Sequence, residues 1–218
     1  MINCYCISGL GADERVFQYL TFIEEVKFVY LPWLSTMSSE TIEDYATRMG
    51  KQIDESNPFF LLGLSMGGMI AVEIAKHKKP LKLFLVSSVT CASEIPAFYR
   101  FSGKYHLYKI LSPKLMKNLS ILKKWFAAYN PEHRNLLIDV IRDADDDFVH
   151  WAIPALVNWK NTEPPTNYIH IHGTNDNVLP NACTHPTHKI KSGRHFMIVE
   201  KAAEISEILA TEMSRIIS

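Results

Sequence analysis

A serine hydroxyl is a poor nucleophile until a base takes its proton, and an imidazole base works best when a carboxylate holds its other nitrogen. Ser65 is placed for that chemistry. It stands in Gly63-Leu64-Ser65-Met66-Gly67-Gly68, with the apolar run Phe59-Phe60-Leu61-Leu62 before it and Met69-Ile70-Ala71-Val72 after it. A strand that passes directly into a helix must turn sharply, and the residue at the tip takes backbone angles that nearby side chains would crowd. Gly63 and Gly67 relieve that crowding, and Gly68 lets the new helix pack closely. The hydroxyl is left exposed at the amino end of a helix, where backbone N–H groups can hold a developing negative charge. A G-x-S-x-G pattern between strand and helix is the nucleophile elbow. The bland reading is a glycine-rich turn with an incidental serine.

An activated serine demands an acid after a later strand and a histidine later still. His170-Ile171-His172-Gly173-Thr174-Asn175-Asp176-Asn177-Val178-Leu179-Pro180 supplies Asp176, after an apolar strand and a glycine turn. Its bland reading is a turn-former or cap. His185, His188 and His195 follow. His195 is selected as the base: it lies in Ser192-Gly193-Arg194-His195-Phe196, just before the last helix. The small residues let the imidazole reach inward, and Phe196 can anchor the loop in the core. His185 lies in a proline-flanked surface stretch, and His188 begins a weak strand. Donors for an oxyanion are expected from the backbone N–H of Met66, fixed by the elbow, and of Leu10, in the turn Ser8-Gly9-Leu10-Gly11-Ala12. That turn also reads as a plain strand-to-helix connection.

The elements that must position these residues follow from periodicity. Strands are expected over 2–7, 26–31, 59–64, 81–88, 167–172 and, weakly, 188–191. Their continuous apolar character is that of a parallel sheet covered on both faces. Helices are expected over 12–20, over 40–53 with Ser38 or Ser39 as cap, over 67–78, and over 200–217. Between about 92 and 163 the strand rhythm stops. Helical segments are expected there over 96–110, 113–129, 131–142 and 147–159, the last kinked or split by Pro154. The region is aromatic, with Phe98, Tyr99, Phe101, Tyr105, Tyr108, Trp125, Phe126, Tyr129, Phe148, Trp151 and Trp159. This alternation predicts a doubly wound α/β fold with a mostly parallel sheet of about six strands. The helical stretch reads as a lid over the sheet's carboxyl edge, where open α/β sheets place their ligands.

Lys+Arg and Asp+Glu are both 23, so the net charge is zero, which gives no support for a nucleic-acid partner. No run approaches the ~18 apolar residues of a membrane helix. The amino terminus shows no basic flank or apolar run of a leader, so integral membrane association is not expected. Cys4, Cys6, Cys91 and Cys183 form no framework, and the expectation is four free thiols in a cytoplasmic protein. A Cys4–Cys6 metal pair is the sharper reading, without a second pair nearby. Asp143 and the run 145–147 read as a helix C-terminal loop and the next helix's N-cap cluster rather than a metal site. Lys109, Lys114, Lys117, Lys123 and Lys124 among leucines read as a solvated helix face or as a basic surface that meets lipid.

The three motifs, in this order, resemble the α/β-hydrolase superfamily, and the likeness covers nearly all the chain outside the insertion. It implies a core of residues 1–91 and 164–218 with a helical cap over 92–163. It implies Ser65 as nucleophile, His195 as general base, Asp176 as its orienter, Leu10 and Met66 as donors, and no cofactor or metal. The reaction implied is hydrolysis of an ester, thioester or similar acyl bond through an acyl-serine, and the aromatic lid favours a small to medium, partly apolar substrate. Two departures stand out. The family's oxyanion turn usually opens with His-Gly, and here it is Ser8-Gly9. The family's first two strands, an antiparallel hairpin at one edge, are expected to be missing. Two other readings remain open on the same scaffold: a lyase or cofactor-free oxygenase, and a ligand-binding receptor with a vestigial triad. The sequence leaves the oligomeric state open.

Overall fold

A computed structural model describes residues 1–105 and 130–218 of the chain. Six strands form one sheet: β1 (Ile2–Ile7), β2 (Val26–Tyr30), β3 (Phe59–Leu64), β4 (Lys82–Val86), β5 (Tyr168–Gly173) and β6 (His188–Ile190). All pair in parallel, in the order β2-β1-β3-β4-β5-β6. The chain leaves β1 to build β2 on one side, then returns to build β3 on the other. That reversal opens a crevice at the carboxyl ends of β1 and β3, the place where doubly wound sheets bind ligands.

Strands with apolar residues at every position need cover on both faces. Tyr5, Ile7, Leu61, Leu83 and Leu85 pack on one side with residues of α1 (Ile42–Gly50) and α2 (Met66–Ala75). Cys4, Cys6, Phe60, Leu62, Phe84 and Val86 pack on the other with Ile205, Leu209 and Met213 of α7 (Ala202–Ile217). Between β4 and β5 lie α3 (Ala97–Lys104), α4 (Pro131–Asp143) and α5 (Asp146–Val157), and α6 (Met197–Glu200) precedes α7. Leu137 and Val140 of α4 join the second core, whereas Phe148 and Ala152 of α5 join the first.

Several expected boundaries shift. The segment 12–20 forms one 3-10 turn, Glu14–Phe17, capped by Asp13. Its Arg15 pairs with Asp13 at 2.6 Å and with Asp143 at 2.8 Å, which ties the turn to the end of α4. Thr41 caps α1, not Ser38 or Ser39; Ser39 sits at φ 62°, outside the extended geometry a cap needs. Helix α2 stops at Ala75, three residues short, and α7 starts at Ala202 after the separate turn of α6. Pro154 does not split α5, which runs through it to Val157. Asp145 caps α5, accepting from Phe148 N–H at 2.7 Å, as the acidic run suggested. The expected helix 113–129, the basic segment with Lys109 to Lys124, and Tyr108, Trp125, Phe126 and Tyr129 lie outside the described residues.

Candidate active site

Ser65 carries φ 51° and ψ −119° at the end of β3, a conformation that costs roughly 1–3 kcal/mol for a residue with a side chain. Its surroundings hold it there. Its N–H donates to Val86 carbonyl at 2.9 Å, and its carbonyl accepts from Gly68 N–H at 2.9 Å and Ser88 Oγ–H at 2.7 Å. A Cβ on Gly63 would lie 2.4 Å from Gly68 Cα, so that glycine does relieve the elbow. A Cβ on Gly67 would instead lie 2.2 Å from Ser8 carbonyl oxygen. Gly67 therefore serves the close approach of α2 to the end of β1, a different crowding from the one the motif suggests.

His195 reaches Ser65 from the other end of the chain. Its Nε2 lies 2.9 Å from Ser65 Oγ, and its Nδ1 lies 2.7 Å from Asp176 Oδ2. The other oxygen of Asp176 accepts the N–H groups of Val178 and Leu179, each at 2.8 Å. Asp176 and His195 are buried; Ser65 is half-buried. Burial pushes the Asp176 carboxyl up, but His195, the Leu179 N–H and His172 outweigh it and hold the carboxyl below its ordinary range. The loops that carry Asp176 and His195 meet backbone to backbone. A Cβ on Gly173 would lie 2.2 Å from Gly193 carbonyl oxygen, and that carbonyl accepts Asn175 N–H at 2.9 Å. Phe196 is buried in the second core and pins the loop behind His195. His185 is exposed, and His188 pairs with Glu212 of α7 at 3.3 Å, so neither joins the site.

The turn after β1 lies beside the serine: a Cβ on Gly9 would lie 3.4 Å from Ser65 Cβ. Gly11, at φ 67°, lets the turn reverse. The Ala12 carbonyl closes it, accepting from Ser8 Oγ–H at 2.6 Å and Trp33 Nε1–H at 2.7 Å. Leu10 is half-buried at the apex, and Met66 opens α2, where a backbone N–H has no partner within its helix. The fastening by Ser8 and Trp33, and the Ser88 contact to Ser65, were not read from sequence. A buried serine just past an apolar strand, one residue after β1 and two after β4, was the available signal.

Among the described residues, no group of three or more His, Cys, Asp or Glu side chains is arranged to hold a metal ion. The Cys4 and Cys6 sulfurs lie 3.8 Å apart in the core, where burial pushes the Cys6 thiol well above its ordinary value. No described helix is long and apolar enough to cross a membrane.

No protein-family model matches the chain, and no curated protein matches it in sequence. Solved structures do match. One is a thermophilic esterase from Thermogutta terrifontis, with 15% identity, a TM-score of 0.74, and coverage of 99% of this chain and 90% of that one. Another is MenH from S. aureus, with 16% identity, a TM-score of 0.74, and coverage of 100% and 95%. A third is the esterase EaEST from Exiguobacterium antarcticum, with 18% identity, a TM-score of 0.70, and coverage of 100% and 92%. With its six-stranded parallel sheet and the elbow on β3, the chain has the α/β-hydrolase fold.

Proposed function

We propose that this protein is a serine hydrolase that cleaves an ester, thioester or similar acyl bond of a small to medium, partly apolar substrate. The observation that carries the reading is the unbroken chain from Ser65 Oγ through His195, at 2.9 Å and 2.7 Å, to Asp176. In the first half-reaction Ser65 Oγ gives its proton to His195 Nε2 and attacks the acyl carbonyl. Asp176 holds the opposite ring nitrogen and stabilises the imidazolium. The N–H groups of Met66 and Leu10 receive the carbonyl oxygen as it becomes an oxyanion. His195 then returns the proton to the leaving group. A water, activated by the same imidazole, releases the acid from the acyl-Ser65.

Residues 92–163 act as the cap in this reading. Tyr99 of α3 supports it: the ring packs against the first core, and burial, with the charge of Asp176, pushes its phenol up to about 12. The esterases among the structural neighbours point the same way.

The test uses the full chain with p-nitrophenyl esters of increasing acyl length and a fluorophosphonate probe. Wild type should turn over short and medium esters and carry one adduct on Ser65. Ser65→Ala should lose both, with kcat down at least about 10³-fold. A Ser65→Ala protein as active as wild type would end the assignment. Turnover of a substrate without any adduct would favour a non-hydrolytic reaction on this fold, and a ligand released unaltered would favour a receptor.

A further inference from the structure

Strand β5 carries two buried histidines, His170 beside Leu85 of β4 and His172 beside Lys189 of β6. His170 and His172 are both fully buried and project to the same side of the sheet by strand alternation. Their rings pack edge to face at 5.1 Å, and His170 Nε2 lies 3.2 Å from His172 Nδ1. His172 Nε2 lies 2.7 Å from Leu179 carbonyl oxygen and 3.5 Å from Asp176 Oδ2. No step of the proposed reaction uses either ring.

The partners dictate the protons. His172 Nε2 faces a carbonyl and a carboxylate, both acceptors only, so Nε2 bears the hydrogen. In a neutral ring Nδ1 is then the acceptor, and His170 Nε2–H donates to it. This leaves His170 Nδ1 as the lone-pair end, a buried atom that no hydrogen-bond donor reaches. Neutrality is favoured on both rings. Burial pushes His170 down to about 3, helped by His172 and His185, against the opposite pull of the Ser88 backbone. Burial also pushes His172 down, with His195 adding to it, against the opposite pull of Asp176, the Leu179 carbonyl and Glu94.

We propose that His172, held by His170, is a positioning residue for Asp176: its neutral Nε2–H fastens the Leu179 carbonyl and faces the same carboxylate oxygen that His195 uses. Two effects follow. The loop 173–180 cannot swing Asp176 away from His195 without breaking a buried hydrogen bond. A second N–H beside Oδ2 also stabilises the carboxylate's charge, which moderates how strongly Asp176 attracts the His195 proton. His195 also faces Ser65, and the charge of Asp176 is felt by the Tyr99 phenol.

The proposal rests on the serine-hydrolase reading, so fluorophosphonate labelling of wild type is measured first. Then His172→Phe and His172→Gln are compared by kcat, KM and the pH profile of kcat/KM on one p-nitrophenyl ester. Phenylalanine keeps the ring and removes both nitrogens; glutamine keeps a donor close to Nε2. His172→Phe should lower kcat on the order of tenfold with KM nearly constant, a fraction of what a general base supplies. Its acid limb should move up by roughly half a pH unit, because Asp176 regains proton affinity. His172→Gln should restore both. A merely structural role would reduce the amount of labelled enzyme and leave the limb in place. An unmoved limb in His172→Phe, or a glutamine variant as impaired as phenylalanine, overturns the proposal. Should neither variant fold, imidazole nitrogen NMR of wild type decides it: a neutral Nε2–H form of His172 across the active pH range supports it, and a charged ring or Nδ1–H form overturns it. Unlabelled wild type removes the hydrolase reading and this one with it; labelled wild type with unchanged variants removes this one alone.

Discussion

The conformation of Ser65 is uphill by itself, and three hydrogen bonds together with two close glycine approaches make it the local optimum. The same logic holds at Ser8. Its hydroxyl and the Trp33 indole both close on the Ala12 carbonyl, so the turn that bears Leu10 has two fasteners. Ser8→Ala removes one. A buried hydrogen bond of this kind contributes about 1–1.5 kcal/mol. If that loss is felt only when the Leu10 N–H must meet a charged oxygen, kcat should fall roughly tenfold with little change in KM. Steady-state kinetics on a single ester checks it; equal changes in substrate binding and turnover would contradict it. Ser65, Asp176 and His195 were legible because each sits in a short pattern with a steric reason for its neighbours. Ser8, Trp33 and His172 were not, since their partners are backbone carbonyls, which every residue carries and no side-chain pattern marks. The His-x-His alternation in β5 was nonetheless a visible sign: two polar rings at positions an interior strand reserves for apolar ones.

At the level of elements, the strands were readable almost to the residue, because a parallel strand buried on both faces has one composition and abrupt ends. Helix ends were less so. Three hydroxyls, Ser38, Ser39 and Thr41, compete to start α1, and only the backbone decides. The segment 12–20 has helical spacing but yields one turn, since so short a helix does not repay nucleation. The meeting of α2 with β1 is a matter of main chain on main chain. Gly67→Ala forces a methyl to 2.2 Å from Ser8 carbonyl oxygen, which a rotamer change cannot relieve. The variant should lose about 3 kcal/mol in urea unfolding. Gly50→Ala is the control: its added methyl meets only side-chain carbons at 3.7 Å, and α1 should gain about 0.5–1 kcal/mol. Equal effects at the two positions would refute the assignment of Gly67 to close packing.

Over the whole molecule, formal charge is balanced, so general self-repulsion is small near neutrality and buried groups set the acid response. His170 has an ordinary value of 6.5 and is held near 3 when folded. The unfolded chain therefore takes the proton first. Stability from this site is complete above about pH 6.5 and falls by about 1.4 kcal/mol for each pH unit below it, until the folded ring also protonates near pH 3. His172 shifts in the same direction and adds to the slope. Asp176 has the same sign at lower pH: its contribution is present above its ordinary 3.8 and is lost as pH falls through its lower folded value. Denaturant titrations from pH 7 to 4 should show this decline, and His170→Phe should flatten it; an equally steep slope in the variant would contradict the assignment.

Trp33 also belongs to an aromatic group that bridges the body and the inserted helices. It packs 4.6 Å from Phe148 and 6.1 Å from Tyr45, and Tyr45 packs 4.5 Å from Trp151. Its indole N–H thus bonds the glycine-rich turn while its ring packs, tilted, against Phe148 of α5. The protein consequently carries an intrinsic fluorophore in contact with both the turn beside Ser65 and α5. A ligand that shifts that turn or α5 should change the emission of Trp33, read as the difference between wild type and Trp33→Phe, which follows binding optically without a dye or a chromogenic leaving group.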